Sequence, residues 1–186
     1  MALKATVCKA AVQLADVDRA IYCDRQVTLA RHPSETDERM MVRLLAFALN
    51  VAADESGGGL EFAKGMWDPE EPELWRKDLT GRIVHWIEVG QPDERRVTKA
   101  SGRADRVSVY AFGSNAASWW AGLAGRAGRA GNVDAWLVPS EQSRALALLA
   151  GRSMQLQINR HDGIVWVSDD GSSVEIHPRP LGGESR

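Results

Sequence analysis

Three glutamates carry the chemistry this sequence offers: Glu38 in RHPSETDERMMVRLLAFALNVA, Glu73 in DPEEPELW and Glu88 in RIVHWIEVG. On a helical wheel Glu38 sits within about 40° of Leu45, Leu49 and Ala52, inside the apolar stripe of its helix. A carboxylate there must be paired, protonated or bound to a cation, because bare burial of charge is costly. The plainer alternative is a wet helix edge, or an ion pair with Arg31 or Arg39. If Thr80-Gly81 is a two-residue hairpin loop, Leu79 faces Arg82, Trp75 faces Trp86 and Glu73 faces Glu88. Like charges directly across a strand pair repel unless a cation lies between them. Mg2+ held by two or three carboxylates and waters would relieve that repulsion. Two acids splayed at a fraying hairpin end remain the alternative. Asp78 points to the opposite face in this register and ranks below Glu73, about 17 Å from the position facing Glu88.

A basic helix follows Glu88. Pro92 opens it, Asp93 and Glu94 suit its positive end, and it runs to about Gly102. Arg95, Arg96 and Lys99 cluster within about 100° of arc, joined by Arg103 and Arg106 if the helix continues. Such a stripe neutralises phosphates in a salt-dependent way, although most charge runs are simply solvated faces.

These residues need a scaffold to hold them. Alternation predicts strands over about Leu3 to Leu14 and Ala20 to Ala30, joined through Asp16-Val17-Asp18. Ser34 with Asp37 reads as an approximate capping box for the first helix, which Gly57, Gly58 and Gly59 follow as a flexible connection. After the Glu73–Glu88 hairpin and the basic helix come a strand over Arg106 to Phe112, a helix over Ser114 to about Arg129 and a strand over Asn132 to Val138. A helix capped by Ser140 and a three-stranded meander with turns at HDG and DDG complete the chain. GRAGRAG, residues 125–131, reads as a fraying helix end, because it lacks the lysine and hydroxyl of a phosphate loop. The expected architecture is a single α/β domain over 1–186, a mixed β-sheet flanked by helices, with a mobile tail at 180–186.

Composition sets the limits. The chain has 186 residues, 44% hydrophobic and 26% charged, with 23 basic against 25 acidic residues. That is an ordinary globular balance with no global nucleic-acid signature, so any polyanion site must be local. No apolar run approaches the roughly 18–20 residues that span a bilayer, and no secretory or transit signal is evident, so the cytoplasm is expected. Cys8 and Cys23 read as buried free thiols. Seven tryptophans, Trp119 and Trp120 among them, suit a core more than a partner-protein surface.

RHPSETDERMMVRLL, DPEEPELW, WIEVGQPDERR and IVWVSDDG together resemble the YaeQ family over essentially the whole chain. That family is similar in fold to the PD-(D/E)xK, restriction-endonuclease-like nucleases. The resemblance implies a core of that type with an added N-terminal hairpin and C-terminal β-meander, and a Mg2+ (or Mn2+) site. Glu38 matches the helix acid, Pro72-Glu73 the proline-acid pair and Glu88 the strand acid. Gly90 stands where the motif has its lysine, a departure from the family pattern. Lys99 from the next helix is the expected substitute, and Gln91 offers only a neutral hydrogen bond. The implied function is a metal-dependent phosphodiesterase acting on nucleic acid, with Arg95, Arg96, Arg103 and Arg106 gripping the backbone. The alternative is an inactive module that binds nucleic acid or a protein through the helix at 93–106.

Overall fold

The structure, a computed structural model, describes residues 4–182. Two long strands open it, β1 (Thr6–Asp16) and β2 (Ile21–Arg31), paired antiparallel. Cys8, Ala10, Val12 and Leu14 alternate inward along β1, the period of two that a half-buried strand requires. Helix α1 (Asp37–Asn50) follows. Its N-cap is Thr36, not Ser34: Thr36 Oγ1 accepts from Arg39 N at 3.1 Å, while Ser34 N donates to His32 Nδ1 in the turn before. Met40 to Ala48 are all buried, Arg43 included, as suits a helix that is apolar on nearly every side.

Strand β3 (Leu60–Phe62) and a single 3₁₀ turn at Gly65–Trp67 lead into the hairpin of β4 (Leu74–Lys77) and β5 (Ile83–Val89). Then α2 (Glu94–Arg103), β6 (Ala104–Phe112), α3 (Ala116–Ala130) and β7 (Val133–Val138) alternate. Helix α3 continues through GRAGRA and closes on Gly131 at φ 74. Helix α4 (Ser140–Ala147) starts after Pro139 without a side-chain cap, so Ser140 does not cap it. The meander is β8 (Ser153–His161), β9 (Ile164–Ser168) and β10 (Ser173–Ile176). Arg179–Pro180 form β11 against Leu137 and Trp136, and Pro180 is the first residue of the expected tail. Residues 1–3 and 183–186 lie outside the described residues, and the start of the first expected strand and the end of the tail fall there.

The sheet is divided in two. One sheet has the order β10-β9-β8-β1-β2 and the other β11-β7-β6-β5-β4-β3. The N-terminal hairpin and C-terminal meander are thus halves of one mixed sheet, joined by parallel pairing of β1 with β8. In the other, β5, β6 and β7 run parallel through α2 and α3, and β4 pairs antiparallel with β5. The result is an α/β domain with mixed sheets flanked by four helices. Helix α1 shares one core with Leu14 and Leu29 of the first sheet and Ile87 and Val89 of the second. On the far face of the second sheet Trp86, Val107 and Val109 pack against Ala100 of α2 and Trp119 of α3. Cys8 lies opposite Leu29 and is buried, whereas Cys23 lies opposite Leu14 and is half-buried; both are free thiols. Among the described residues no helix is long and apolar enough to cross a membrane.

Candidate active site

The hairpin of β4 and β5 decides whether two acids meet. Trp75 faces Trp86 and Leu74 faces Ile87, the register expected from sequence, although the turn is built differently. The loop holds three residues, Leu79 to Gly81, because Asp78 Oδ1 accepts from Thr80 N at 2.9 Å and Arg82 N at 3.0 Å. Gly81 takes φ 86, the left-handed residue that closes such a loop. A bulge between the pairs Arg76–His85 and Lys77–Ile83 then restores the register. Just before β4, Glu73 N donates to Ile87 O at 3.1 Å, which fixes Glu73 beside Glu88. Both are 2% exposed, and both line one cleft of about 460 Å³ at the carboxyl ends of β5 and β6.

Each acid is met by an arginine. Arg39 Nη2 donates to Glu73 Oε1 at 2.5 Å, and Arg43 Nε lies 3.8 Å from Glu73 Oε2. Glu35, buried just ahead of α1, takes Arg39 Nη1 at 3.0 Å and Arg43 Nη2 at 2.9 Å. Glu88 Oε1 accepts from Trp86 Nε1 at 2.8 Å and Arg96 Nε at 2.7 Å. Arg96 also donates to Pro69 O at 2.9 Å and Glu71 O at 2.8 Å, clamping α2 to the 69–71 loop. In both glutamates the close arginine contact uses Oε1. Glu73 Oε2 is buried with no hydrogen-bond partner. Burial pushes the Glu88 carboxyl above its ordinary range against the pull of Arg96 and Trp86, and the Glu73 charge adds to the rise.

Other expected site residues lie elsewhere. Glu38 is half-buried but absent from the cleft wall; Ser143 of α4 donates to its Oε1 at 2.6 Å. Packing of α4 on α1 supplies that partner, in place of Arg31, which pairs with Asp37, or Arg39. Lys99 is exposed and pairs with Glu70, which Arg103 also approaches at 3.6 Å. Helix α2 ends at Arg103, so Arg106 belongs to β6, where it pairs with Asp134 at 2.8 Å. Arg95 is exposed. Gln91 lines the cleft with its amide donated to Phe112 O. Asp78 stays in the hairpin loop. The cations in the cleft wall are Arg39 and Arg96, and sequence reasoning missed the role of Glu35, Arg39 and Arg43. The one available signal was the one-turn spacing of Arg39 and Arg43 on α1.

The backbone at position 90 calls for glycine. Its φ is 95, and its N–H donates to Tyr110 O at 2.9 Å, so the strand leaves the sheet through a conformation that side chains other than glycine rarely adopt. Glycine is also needed at position 65. There φ is 51, and a Cβ would come within 2.4 Å of Glu73 Oε2.

The fold and this cleft define an α/β protein in which a carboxylate near the end of β5 meets one that precedes the antiparallel strand β4. The chain belongs to the YaeQ family: the family model described as YaeQ protein matches residues 1–178. It is 44% identical over 179 residues to the "Uncharacterized protein YaeQ" of Escherichia coli (strain K12), covering 95% of this chain and 96% of that one. The protein of the same description from Salmonella typhi is 45% identical over 178 residues, covering 95% of each. Among solved structures, the YaeQ protein from Xanthomonas axonopodis pv. citri superposes with TM-score 0.88 at 43% identity, covering 95% of this chain and 98% of that chain. The YaeQ protein from Pseudomonas syringae gives 0.88 at 39% identity, covering 97% of each.

Proposed function

We propose that the chain is a Mg2+-dependent, nuclease-like phosphodiesterase acting on nucleic acid, built on the PD-(D/E)xK architecture and working in the cytoplasm. The observation that carries this reading is the meeting of Glu73 and Glu88 in one cleft, with Glu73 Oε2 left without a hydrogen bond. Two carboxylates whose arginines are bound through Oε1 fit Mg2+ or Mn2+, which take one or two protein carboxylates and fill the remaining positions with waters and substrate phosphate. Glu73 and Glu88 would hold the ion; Glu38, turned to Ser143, would not. When bound, such an ion lowers the pKa of water and polarises a phosphoryl oxygen.

The rest falls to the chain's own side chains. Arg39 and Arg96 set two guanidinium groups in the wall, where they orient a phosphate and stabilise charge growing on it. That is the work the motif lysine performs, and it reaches the cleft from α1 and α2 in place of the strand. The rival, a binding module using the helix at 93–106, gains from Gly90. It loses because Lys99 and Arg103 engage Glu70 and Arg96 is turned into the cleft, so Arg95 alone on that helix's basic stripe lacks an acidic partner among the described residues.

Pure protein incubated with single- and double-stranded DNA and RNA tests the proposal. The expected result is cleavage that requires Mg2+ or Mn2+ and is abolished in Glu88→Ala. Thermal stabilisation by Mn2+ should likewise disappear in Glu73→Gln. Absence of both cleavage and metal-induced stabilisation in the wild-type protein overturns the hydrolase. Salt-sensitive, metal-independent binding that survives Glu73→Gln supports the rival.

A further inference from the structure

A second cavity, of about 540 Å³, opens on the opposite face of the β4–β5–β6 sheet, between that sheet, the end of α1 and the β1–β2 turn. Its size falls in the range of roughly 300–1,000 Å³ usual for small-molecule sites. Its wall carries four arginines, Arg19, Arg76, Arg106 and Arg160, and no acid. Three of them are neutralised from behind. Arg19 holds Asp16 and closes the α1 C-terminus by donating to Ala48 O and Val51 O. Arg160 meets Asp18 at 3.2 Å, and Arg106 meets Asp134 at 2.8 Å. Arg76 is different: among the described residues it has no acidic partner, and it faces His85 across the strand pair. Burial, and then the neighbouring Arg106 and Arg76 charges, push the His85 pKa down to about 4, so at pH 7 it adds no positive charge of its own to the wall.

The remaining wall is aromatic and apolar. Trp136 and Leu49 line it, as does Tyr110, whose hydroxyl accepts from Asn50 Nδ2 at 2.8 Å and keeps its own proton to donate. A half-buried guanidinium without an acid, beside an aromatic surface and a free hydroxyl donor, matches a ligand with a compact anionic end and a flat body. The Arg76 fork suits phosphate, which offers it two oxygens at once. We infer that this cavity binds a small organic phosphate with an aromatic body, of the mononucleotide class, independently of the Glu73–Glu88 cleft.

Calorimetric titration of the full chain with 5′-mononucleotides, the matching nucleosides and inorganic phosphate tests the site. The expected result is mononucleotide binding that exceeds both fragments. It should weaken at least about tenfold in Arg76→Gln. Trp136→Leu should weaken it too, and Arg76→Lys should retain part of it. Among the described residues Arg76 pairs with no acid, so Arg76→Gln strands none of their carboxylates, and an unchanged melting temperature verifies that. Glu88→Ala and Glu73→Gln should bind as the wild type does, whatever becomes of metal-dependent cleavage. No mononucleotide binding, equal binding of nucleoside or of inorganic phosphate, indifference to Arg76→Gln, or loss in Glu88→Ala would each overturn the inference.

Discussion

Glu35, Arg39, Arg43 and Glu73 form a connected run of alternating charge, and Arg43 and Glu35 are its most enclosed pair, with side chains 4% and 1% exposed. Arg43→Ala leaves the two buried carboxylates of Glu35 and Glu73 sharing Arg39 alone, so it should destabilise the protein by about 3–5 kcal/mol, read by urea denaturation. Replacing Arg43 and Glu35 together with leucine should recover much of that loss. His85 makes a separate prediction. Its folded pKa of about 4 lies below its ordinary 6.5, so the unfolded chain binds the extra proton first and stability falls as pH drops from about 6.5 towards 4. The loss amounts to about 3 kcal/mol, and His85→Gln should flatten that part of the stability profile. Glu88 has the opposite sign: its folded pKa is raised, so stability drains away as pH rises from the ordinary glutamate value through the raised one. At this scale the sequence offered Glu73 and Glu88 as neighbours on the condition of a two-residue turn, and they meet because a longer loop and a bulge arrive at the same register. The sequence hid their arginine partners, because which of several nearby cations turns inward depends on what α1 packs against.

The hairpin was legible in its outcome and illegible in its cause. A two-residue turn predicts Trp75 opposite Trp86; the chain reaches the same pairing through a longer loop, set by the Asp78 side chain, and a compensating bulge. Helix starts were less readable, since Ser34, Thr36 and Ser140 are all plausible caps by type and only Thr36 acts as one. The 3₁₀ turn at Gly65–Trp67 is the least legible element and bears directly on the site. Because a Cβ at Gly65 would overlap the Glu73 carboxylate, Gly65→Ala should displace Glu73. The expected outcome is loss of Mn2+-induced stabilisation with the circular dichroism spectrum retained; an unaltered metal response would show that Glu73 has room to yield.

Across the whole molecule, the sequence conveyed the alternation of strands and helices but not the division into two sheets. The parallel pairing of β1 with β8 joins the two ends of the chain, and nothing local announces it. Met154, Leu156, Ile158, Val165 and Val167 share the core with α1, so deleting residues 153–182 should abolish the cooperative thermal transition of the entire domain, not of the meander alone. The same pairing governs how the protein is made. Strand β1 leaves the ribosome well before β8, whose pairing with it begins at Ser153. At translation rates of about 5–20 residues per second, its open edge waits on the order of 7–30 s for that partner. During that interval the nascent hairpin presents the unpaired backbone groups of β1 from Lys9 to Asp16, an open edge suited to chaperone capture.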